Sequence, residues 1–378
     1  MKNIEIKGTQ FHNKGAELML LSILHYFRSK NSKHKFTISP IYDGCVYDHY
    51  AQLNLQQKIW LRYKGIQWGM LGSFVPKKIR KMYGLVLDKE IDAILDASGF
   101  AYSSQWGNEP TKIMASYTKK WKKEGKTIIL MPQAFGPFKN KQITKYMQII
   151  IENCDLIYAR EQNSYENLIS ISGEKEYIKI APDFTILLDG QLPDYFDASI
   201  HQVCIVPNMR MIDKTNFTSD EYINFMLKII KLLKSNNLNP FFLIQGGNED
   251  LFVTKKICSE CKEIIPIFNE NNPIYIKGII KYSKGLVGSR FHSLASGLYS
   301  GIPTLGTGWS HKYDMLFKNF QFSEGLIDIK STALENKLEY IIDKNMSNDL
   351  SLKLTKISKK QTYDVNNMFM EIEDILNI

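Results

Sequence analysis

The sequence predicts an α/β protein of two domains, each a parallel sheet with helices on both faces, facing one another across a cleft. Three observations predict it. Short apolar runs such as Thr127–Met131, Pro240–Ile244 and Gly285–Gly288 do not alternate with polar residues, so they read as strands buried on both faces. Segments of helical period separate such runs in both halves of the chain, the pattern of crossover units. The length, 378 residues with 44% apolar and 23% charged, exceeds one ordinary domain and suffices for two cores.

The first domain is expected over residues 1–190. Asn3–Lys7 reads as its first strand. The turn His12-Asn13-Lys14-Gly15-Ala16-Glu17 follows, then a helix with Leu20, Leu21, Leu24 and Phe27 inward. Lys35–Ile41 is the next expected strand, and an insertion of basic and aromatic residues occupies about 49–87. Asp92–Ala97 is a further strand, ending at Ser98-Gly99. Thr127–Met131 leads into Pro132-Gln133-Ala134-Phe135-Gly136-Pro137, where two prolines and a glycine make a rigid loop expected to display Gln133. Asp155–Ala159 precedes Arg160 at a helix start, and Tyr177–Ile180 leads to Ala181-Pro182-Asp183. A cation at a helix N-terminus opposes the dipole, so Arg160 calls for a bound anion or for a salt bridge to Glu161 or Asp183.

Residues 189–200 read as a linker, and the second domain is expected over 200–346. Gln202–Val206 ends near Arg210, and Pro240–Ile244 runs into Gln245-Gly246-Gly247-Asn248-Glu249-Asp250. Tyr275–Lys277, Gly285–Gly288 and Thr304–Gly306 are the remaining expected strands. Ser289-Arg290-Phe291-His292 stands where strand gives way to helix. Gly301 and Pro303 end that helix, and Lys312 follows the next strand. Backbone N–H groups and the helix dipole make such a strand-to-helix turn a collector of anions. The last segment, 347–378, reads as a helix packing back across the first domain.

Charge narrows the partners. The formal net charge is +9, and no acid occurs between Asp48 and Asp88, where Lys58, Arg62, Lys64, Lys77, Lys78, Arg80 and Lys81 alternate with aromatics. No nucleic-acid motif accompanies them. The stretch 58–81 suits peripheral contact with an anionic membrane surface or a phosphorylated acceptor, the alternative being a solvated insertion whose aromatics pack on the domain. Only six of the 48 basic residues are Arg. Arg160, Arg210 and Arg290 all follow expected strands, where a planar fork can hold carboxylate or phosphate oxygens two at a time. Five cysteines fit reduced thiols, and Cys258/Cys261 lack a second ligand pair at zinc spacing. No apolar run reaches the roughly 18 residues of a spanning helix, and the opening residues read as strand, so the cytoplasm is the expected compartment.

Arg290-Phe291-His292, then Gly301-Ile302-Pro303, then Lys312, resembles the polysaccharide pyruvyl transferase family. Asn13-x-Gly15, Pro132-Gln133-x-x-Gly136-Pro137, Ala159-Arg160, Pro182-Asp183 and the Glu249-Asp250 loop extend the resemblance over most of the chain. Two departures stand out: Ala16 follows the first turn where some relatives carry Asp, and Gly99 is alone where the family has several glycines. The resemblance implies two Rossmann-like domains, as in B-type glycosyltransferases. It also implies transfer of pyruvate from phosphoenolpyruvate to a sugar of a cell-surface polysaccharide or its precursor, as a cyclic ketal. His292 is then the general acid, with Asp183 a hydroxyl base or orienting group. Arg290, Arg160, Lys312 and Arg210 are the cations for carboxylate and phosphate, and Asn13 and Gln133 line the cleft. The scheme needs no cofactor or metal beyond the donor. A nucleotide-sugar-dependent glycosyltransferase is the second reading, and a non-catalytic sugar- or nucleotide-binding protein the third. His12 and His311 are alternatives to His292.

Overall fold

The computed structural model describes residues 1–11, 13–40, 47–60, 62–63, 66–261 and 263–376. His12, Lys64 and the side chains of Arg62 and His311 lie outside that description. The chain forms two compact units. One comprises Met1–Phe11, Met19–Phe184 and Asp364–Ile378, the other His12–Leu18 and Thr185–Tyr363.

The first unit carries β1 (Asn3–Lys7), β2 (Lys35–Ile38), β3 (Gln56–Lys58), β4 (Arg62–Tyr63), β5 (Ile66–Gln67), β6 (Leu85–Val86), β7 (Ala93–Asp96), β8 (Thr127–Gln133), β9 (Leu156–Ala159) and β10 (Ile178–Ile180). Eight of them form one sheet in the order β10-β9-β8-β7-β1-β2-β3-β6, with every neighbour parallel. β4 and β5 form a separate antiparallel ribbon. The helix Lys141–Asn153 shows how the sheet is covered. Asn140 caps it by accepting from the Gln142 and Ile143 N–H groups, and Ile143, Met147, Ile150 and Ile151 turn inward at helical spacing. The end of the terminal helix Lys344–Ile375 belongs to this unit. Phe369 stacks on Tyr26 with ring centroids 4.2 Å apart, and Glu371 accepts from the Tyr158 hydroxyl at 2.6 Å.

The second unit carries β11 (Val203–Val206), β12 (Pro240–Ile244), β13 (Ile267–Asn269), β14 (Gly285–Gly288) and β15 (Thr304–Gly306). They form a parallel sheet in the order β13-β12-β11-β14-β15. Its helix Ser219–Ser235 starts on a capping box between Thr218 and Glu221 and buries Tyr222, Met226, Ile229 and Leu233.

Two sequence expectations need correction. Tyr275–Lys277 is not a strand. It lies in the helix Pro273–Lys281, which Asn272 caps and Pro273 opens, with Ile276, Ile279 and Ile280 buried on one side. The spacing of these isoleucines is that of a helix. The strand next to β12 is instead β13, a short and half-exposed edge strand whose composition carries little signal.

The basic stretch is also less free than its charge suggests. Lys58 is fully buried, its ammonium 2.7 Å from Glu5 and 2.7 Å from Asp88. Arg80 is buried too, paired with Glu90 through both terminal nitrogens and donating from Nε to the Val75 carbonyl at 3.1 Å. These two cations hold the insertion onto the sheet and are unavailable to an outside anion.

A buried ammonium flanked by two carboxylates predicts a large effect of its removal. Lys58→Ala should cost about 3–5 kcal/mol, because Glu5 would be left buried and uncompensated. Exposed Lys78→Ala should stay within about 0.5 kcal/mol of the parent; urea unfolding distinguishes them. Burial alone would push the Asp88 carboxyl up, but Lys58, Lys120 and Lys126 outweigh it and hold it well below the usual range. A carboxyl depressed by folding adds stability that is present above its unfolded value, about pH 4, and is lost as pH falls toward its folded value. Stability should therefore drop on acidification below about pH 4, and less steeply in Lys58→Ala.

Candidate functional site at the carboxyl edge of the second sheet

In the second sheet β11 lies between β12 and β14, so the connections leaving it on either side run in opposite directions. Such a switch point opens a crevice beyond the carboxyl ends of the strands. The residues there are Asn208 after β11 and Ser289-Arg290 after β14. Asn208 Nδ2 donates to the Ser289 carbonyl at 2.6 Å, and the Tyr313 hydroxyl donates to the same oxygen at 3.1 Å. Ser289 Oγ lies 3.0 Å from the Tyr222 hydroxyl and 2.6 Å from Thr307 Oγ1. Side chains from four separate elements thus fix the residue that begins the next turn.

Arg290 is the N-cap of the helix Phe291–Tyr299. Its guanidinium forks onto fully buried Asp250, Nε donating to Oδ2 at 2.7 Å and Nη2 to Oδ1 at 2.6 Å. The Met209 N–H donates to the same carboxylate at 3.1 Å. Burial alone would lower the guanidinium's proton affinity, but the Asp250 hydrogen bonds and charge outweigh it and raise it. Gly246 makes the pairing possible, since a Cβ there would lie 2.0 Å from Nη2 and 2.1 Å from Asp250 Oδ2. Arg210, in the short helix Arg210–Asp213, pairs with Asp213 and, at 2.9 Å, with Glu249. The adjacent acids Glu249 and Asp250 therefore hold one arginine each. The sequence offered both arginines as grips for a donor, but carboxylates engage both; at Arg290 the nitrogen outside the Asp250 pair is Nη1.

His292 occupies the first turn of the Phe291–Tyr299 helix, and its imidazole lies directly on Gly15. A Cβ at Gly15 would sit 2.2 Å from Nδ1 and 2.8 Å from Cε1. Gly15 is in the first turn of the helix Lys14–Ser29, where Asn13 Oδ1 accepts from its N–H at 3.1 Å and Lys14 pairs with Glu17 at 2.9 Å. Two helix N-termini, 16 and 9 residues long, thus meet at one imidazole. Lys312, in the first turn of the helix His311–Asn319, holds its ammonium over three rings: Trp309 at 5.1 Å, Phe291 at 5.3 Å and Tyr313 at 5.4 Å. The Phe291 ring is in turn 5.4 Å from that of His292. Asn13, Arg290, His292 and Lys312 are therefore brought together in the second unit, around donors and dipoles that suit a small anion.

The other expected residues lie in the first unit. Arg160 and Asp183 are buried as a pair, Nη1 to Oδ2 at 3.4 Å, with Glu161 4.0 Å from Arg160 Nε. The salt bridge weighed against anion binding at Arg160 is thus present, and through it Asp183 orients that cation. Gln133 is corrected more sharply. β8 runs on past Pro132 to include it, with a register shift between Leu130 and Gln133 where the proline cannot donate to the ladder. Gln133 is accordingly buried and donates to the Asp96 carbonyl at 3.4 Å, so the loop does not display it.

Sequence reasoning named the turns that carry Gly15 and Ser289 but not what they touch, and it missed Asn208 and the rings around Lys312. It also missed Asp96, fully buried, which accepts from the Tyr102 hydroxyl at 2.6 Å and Ser98 Oγ at 2.5 Å, and whose carboxyl burial pushes up. The Gly-Gly and acidic pair after β12 were visible, but nothing local said that they receive Arg290. Among the described residues no group of three or more His, Cys, Asp or Glu is placed to hold a metal ion.

The Gly15 contact yields a test independent of any assay. In a helix, Gly→Ala ordinarily gains about 0.5–1 kcal/mol. Gly15→Ala should lose stability instead and shift the His292 ring resonances in NMR spectra, because the added methyl occupies the imidazole's place. A gain in stability with unmoved resonances would show that the ring does not rest there.

The fold recurs among solved structures at low identity. The S. aureus MnaA–UDP co-structure has a TM-score of 0.61 at 11% identity, over 100% of this chain and 97% of that one. A UDP-GlcNAc 2-epimerase from Neisseria meningitidis bound to UDP-GlcNAc has 0.60 at 8%, over 100% of both chains. Anabaena Alr3699/HepE in complex with UDP and glucose has 0.59 at 13%, over 100% of both. These likenesses establish the fold, two Rossmann-like α/β units. A curated lysine–tRNA ligase of Mycoplasmopsis pulmonis is 26% identical over 183 residues, 46% of this chain. The chain spans about a third of that relative's length, 33%, and so partial a match assigns no family. The model of one family, polysaccharide pyruvyl transferase, matches residues 13–311, taking in Asn13, Arg160, Asp183, Arg290 and His292: the chain belongs to the polysaccharide pyruvyl transferase family.

Proposed function

We propose that the protein transfers pyruvate from phosphoenolpyruvate to two hydroxyls of a sugar, forming a cyclic ketal and releasing phosphate. The acceptor is a sugar of a cell-surface polysaccharide or its lipid- or nucleotide-linked precursor. The observation that carries the reading is the grouping of His292, Arg290 and Lys312 at the β11/β14 switch point, beside the converging helix starts.

The donor brings a carboxylate and a phosphate on one three-carbon frame, so it needs several fixed positive or N–H groups close together. Lys312 supplies a full charge, Arg290 supplies Nη1, and the first turns of the two helices supply partial charges. Asp250 keeps the Arg290 fork in one orientation and removes part of its charge. Asn13, capping the first helix, holds Gly15 under the imidazole.

His292 protonates the methylene carbon, and the electron pair of the double bond forms the new C–H bond. The neighbouring carbon gains oxocarbenium character. One sugar hydroxyl attacks it and loses its proton, the phosphate leaves with its bridging oxygen, and the second hydroxyl closes the ring and loses its proton. One proton is taken up by carbon and two are released by the hydroxyls; one restores His292 and the other leaves on the phosphate. Asp183, paired with Arg160 in the first unit, orients that cation.

His292→Asn keeps a hydrogen-bonding side chain that cannot deliver the proton. It should bind phosphoenolpyruvate as the parent does in calorimetric titration, yet release phosphate roughly 10²–10⁴-fold more slowly with glycan-precursor extracts. Arg290→Lys should weaken donor binding although the charge is kept, because the two-point attachment to Asp250 that aims the group is lost. Release of nucleoside diphosphate from a nucleotide sugar, with no phosphate from phosphoenolpyruvate, would establish the glycosyltransferase reading in its place.

A further inference from the structure

With Lys58 and Arg80 turned inward, the remainder of the insertion has a definite shape. The 3₁₀ segment Gly69–Phe74 and the helix Lys77–Met82 form a raised platform on the sheet edge. Three contacts hold it there. Gly72 lies against Ile59 and Leu87 so closely that a Cβ would come within 2.6 Å of one and 3.2 Å of the other. Arg80 ties the Val75 carbonyl to Glu90, and the Leu87 N–H donates to the same carboxylate at 3.0 Å. A held platform of this kind would normally bury its large apolar side chains. Instead Phe74 is 82% exposed and Met82 71%, with Leu71, Ile79 and Tyr83 exposed beside them. Lys77, Lys78 and Lys81 are exposed on the same helix.

The local acids are mostly engaged by other cations, with Glu90 also attracting Lys77. No Asp or Glu occurs from residue 49 to 87, Asp88 is engaged by Lys58, Lys120 and Lys126, and Glu90 by Arg80. Wide apolar side chains interspersed with ammonium groups and lacking exposed acids match one kind of surface, a bilayer whose headgroups are anionic and whose interface accepts aromatic and aliphatic tips. A protein partner would need complementary pockets for each apolar residue, and nucleic acid would leave them in water.

We infer that the platform Trp68–Tyr83 is a docking face for an anionic lipid bilayer, seating the enzyme through Leu71, Phe74, Ile79, Met82 and Tyr83 with Lys77, Lys78 and Lys81 as the electrostatic contacts. The test reads binding alone and uses no activity.

Sedimentation of the full chain with phosphatidylglycerol-containing vesicles is the measurement, with pure phosphatidylcholine vesicles and a single-stranded oligonucleotide as comparison arms. Binding should require the acidic lipid and weaken with salt. It should fall roughly fivefold for each of Lys77, Lys78 and Lys81 changed to Ser. Phe74→Ser, at a largely solvated position, should reduce it at every salt concentration. Lys359→Ser, on the terminal helix, should leave it unchanged. Equal partitioning to neutral and acidic vesicles would overturn the inference. So would absence of binding, retention of binding in the triple-lysine variant, or binding of the oligonucleotide alone. Unchanged circular dichroism in each variant separates these results from misfolding.

Discussion

The bidentate ion pair between Arg290 and Asp250 is the interaction on which the candidate site depends. Asp250 has no solvent contact, and a lone carboxylate there would be costly, so its two oxygens must be matched. Arg290 matches both, and the Met209 N–H adds a third hydrogen bond. The pair thereby joins the segments that follow β11, β12 and β14 at one point, Asp250 lying in the first turn of the helix Asn248–Glu260. A buried pair of this kind is weak evidence for net stability, because desolvation offsets much of the attraction. Its consequence is geometric. It fixes where the Phe291–Tyr299 helix starts, and with it the direction of His292. Gly246 follows from the same constraint, since the fork and the carboxylate occupy the space of any side chain.

The first unit uses charge the same way, for anchorage. Lys58 sits between Glu5 and Asp88 with the rings of Trp60 and Trp121 at 5.5 and 5.7 Å, so an apparent member of a surface cluster is a core residue. Arg80 pins the insertion, and Arg160 is closed off by Asp183. Net charge summed along a sequence therefore overstated the free positive surface. Lys77, Lys78 and Lys81 on one short helix remain exposed, while Arg80 and Arg160 have been drawn inward by carboxylates.

Much of the architecture was legible. Strands buried on both faces have an unbroken apolar run, so β8, β12 and β14 stood out, and their order with helices between them implied parallel sheets. Where burial is partial the signal fades. β3, β6 and β13 are two or three residues long and lie toward or at sheet edges, and composition does not mark them. Tyr275–Lys277, expected as a strand, lies in a helix, which three buried isoleucines at helical spacing, an Asn cap and a Pro start favour. For the site, the turn bearing Arg290 and His292 was evident because a cation and an imidazole stand at a helix start. Gln133 was misplaced because the reading ended β8 at Met131, and the strand continues through the proline.

The sequence by itself determined the alternation of elements, the family, and which turns carry chemically useful side chains. These depend on local periodicity and on residues close together in the chain. The tertiary structure alone decided which charges face each other. Arg290 meets Asp250 across 40 positions, Lys58 meets Glu5 across 53, and His292 rests on Gly15 across most of the chain. Ion pairs and steric contacts act over a few ångströms irrespective of sequence separation, so only the assembled strand order brings those partners within range.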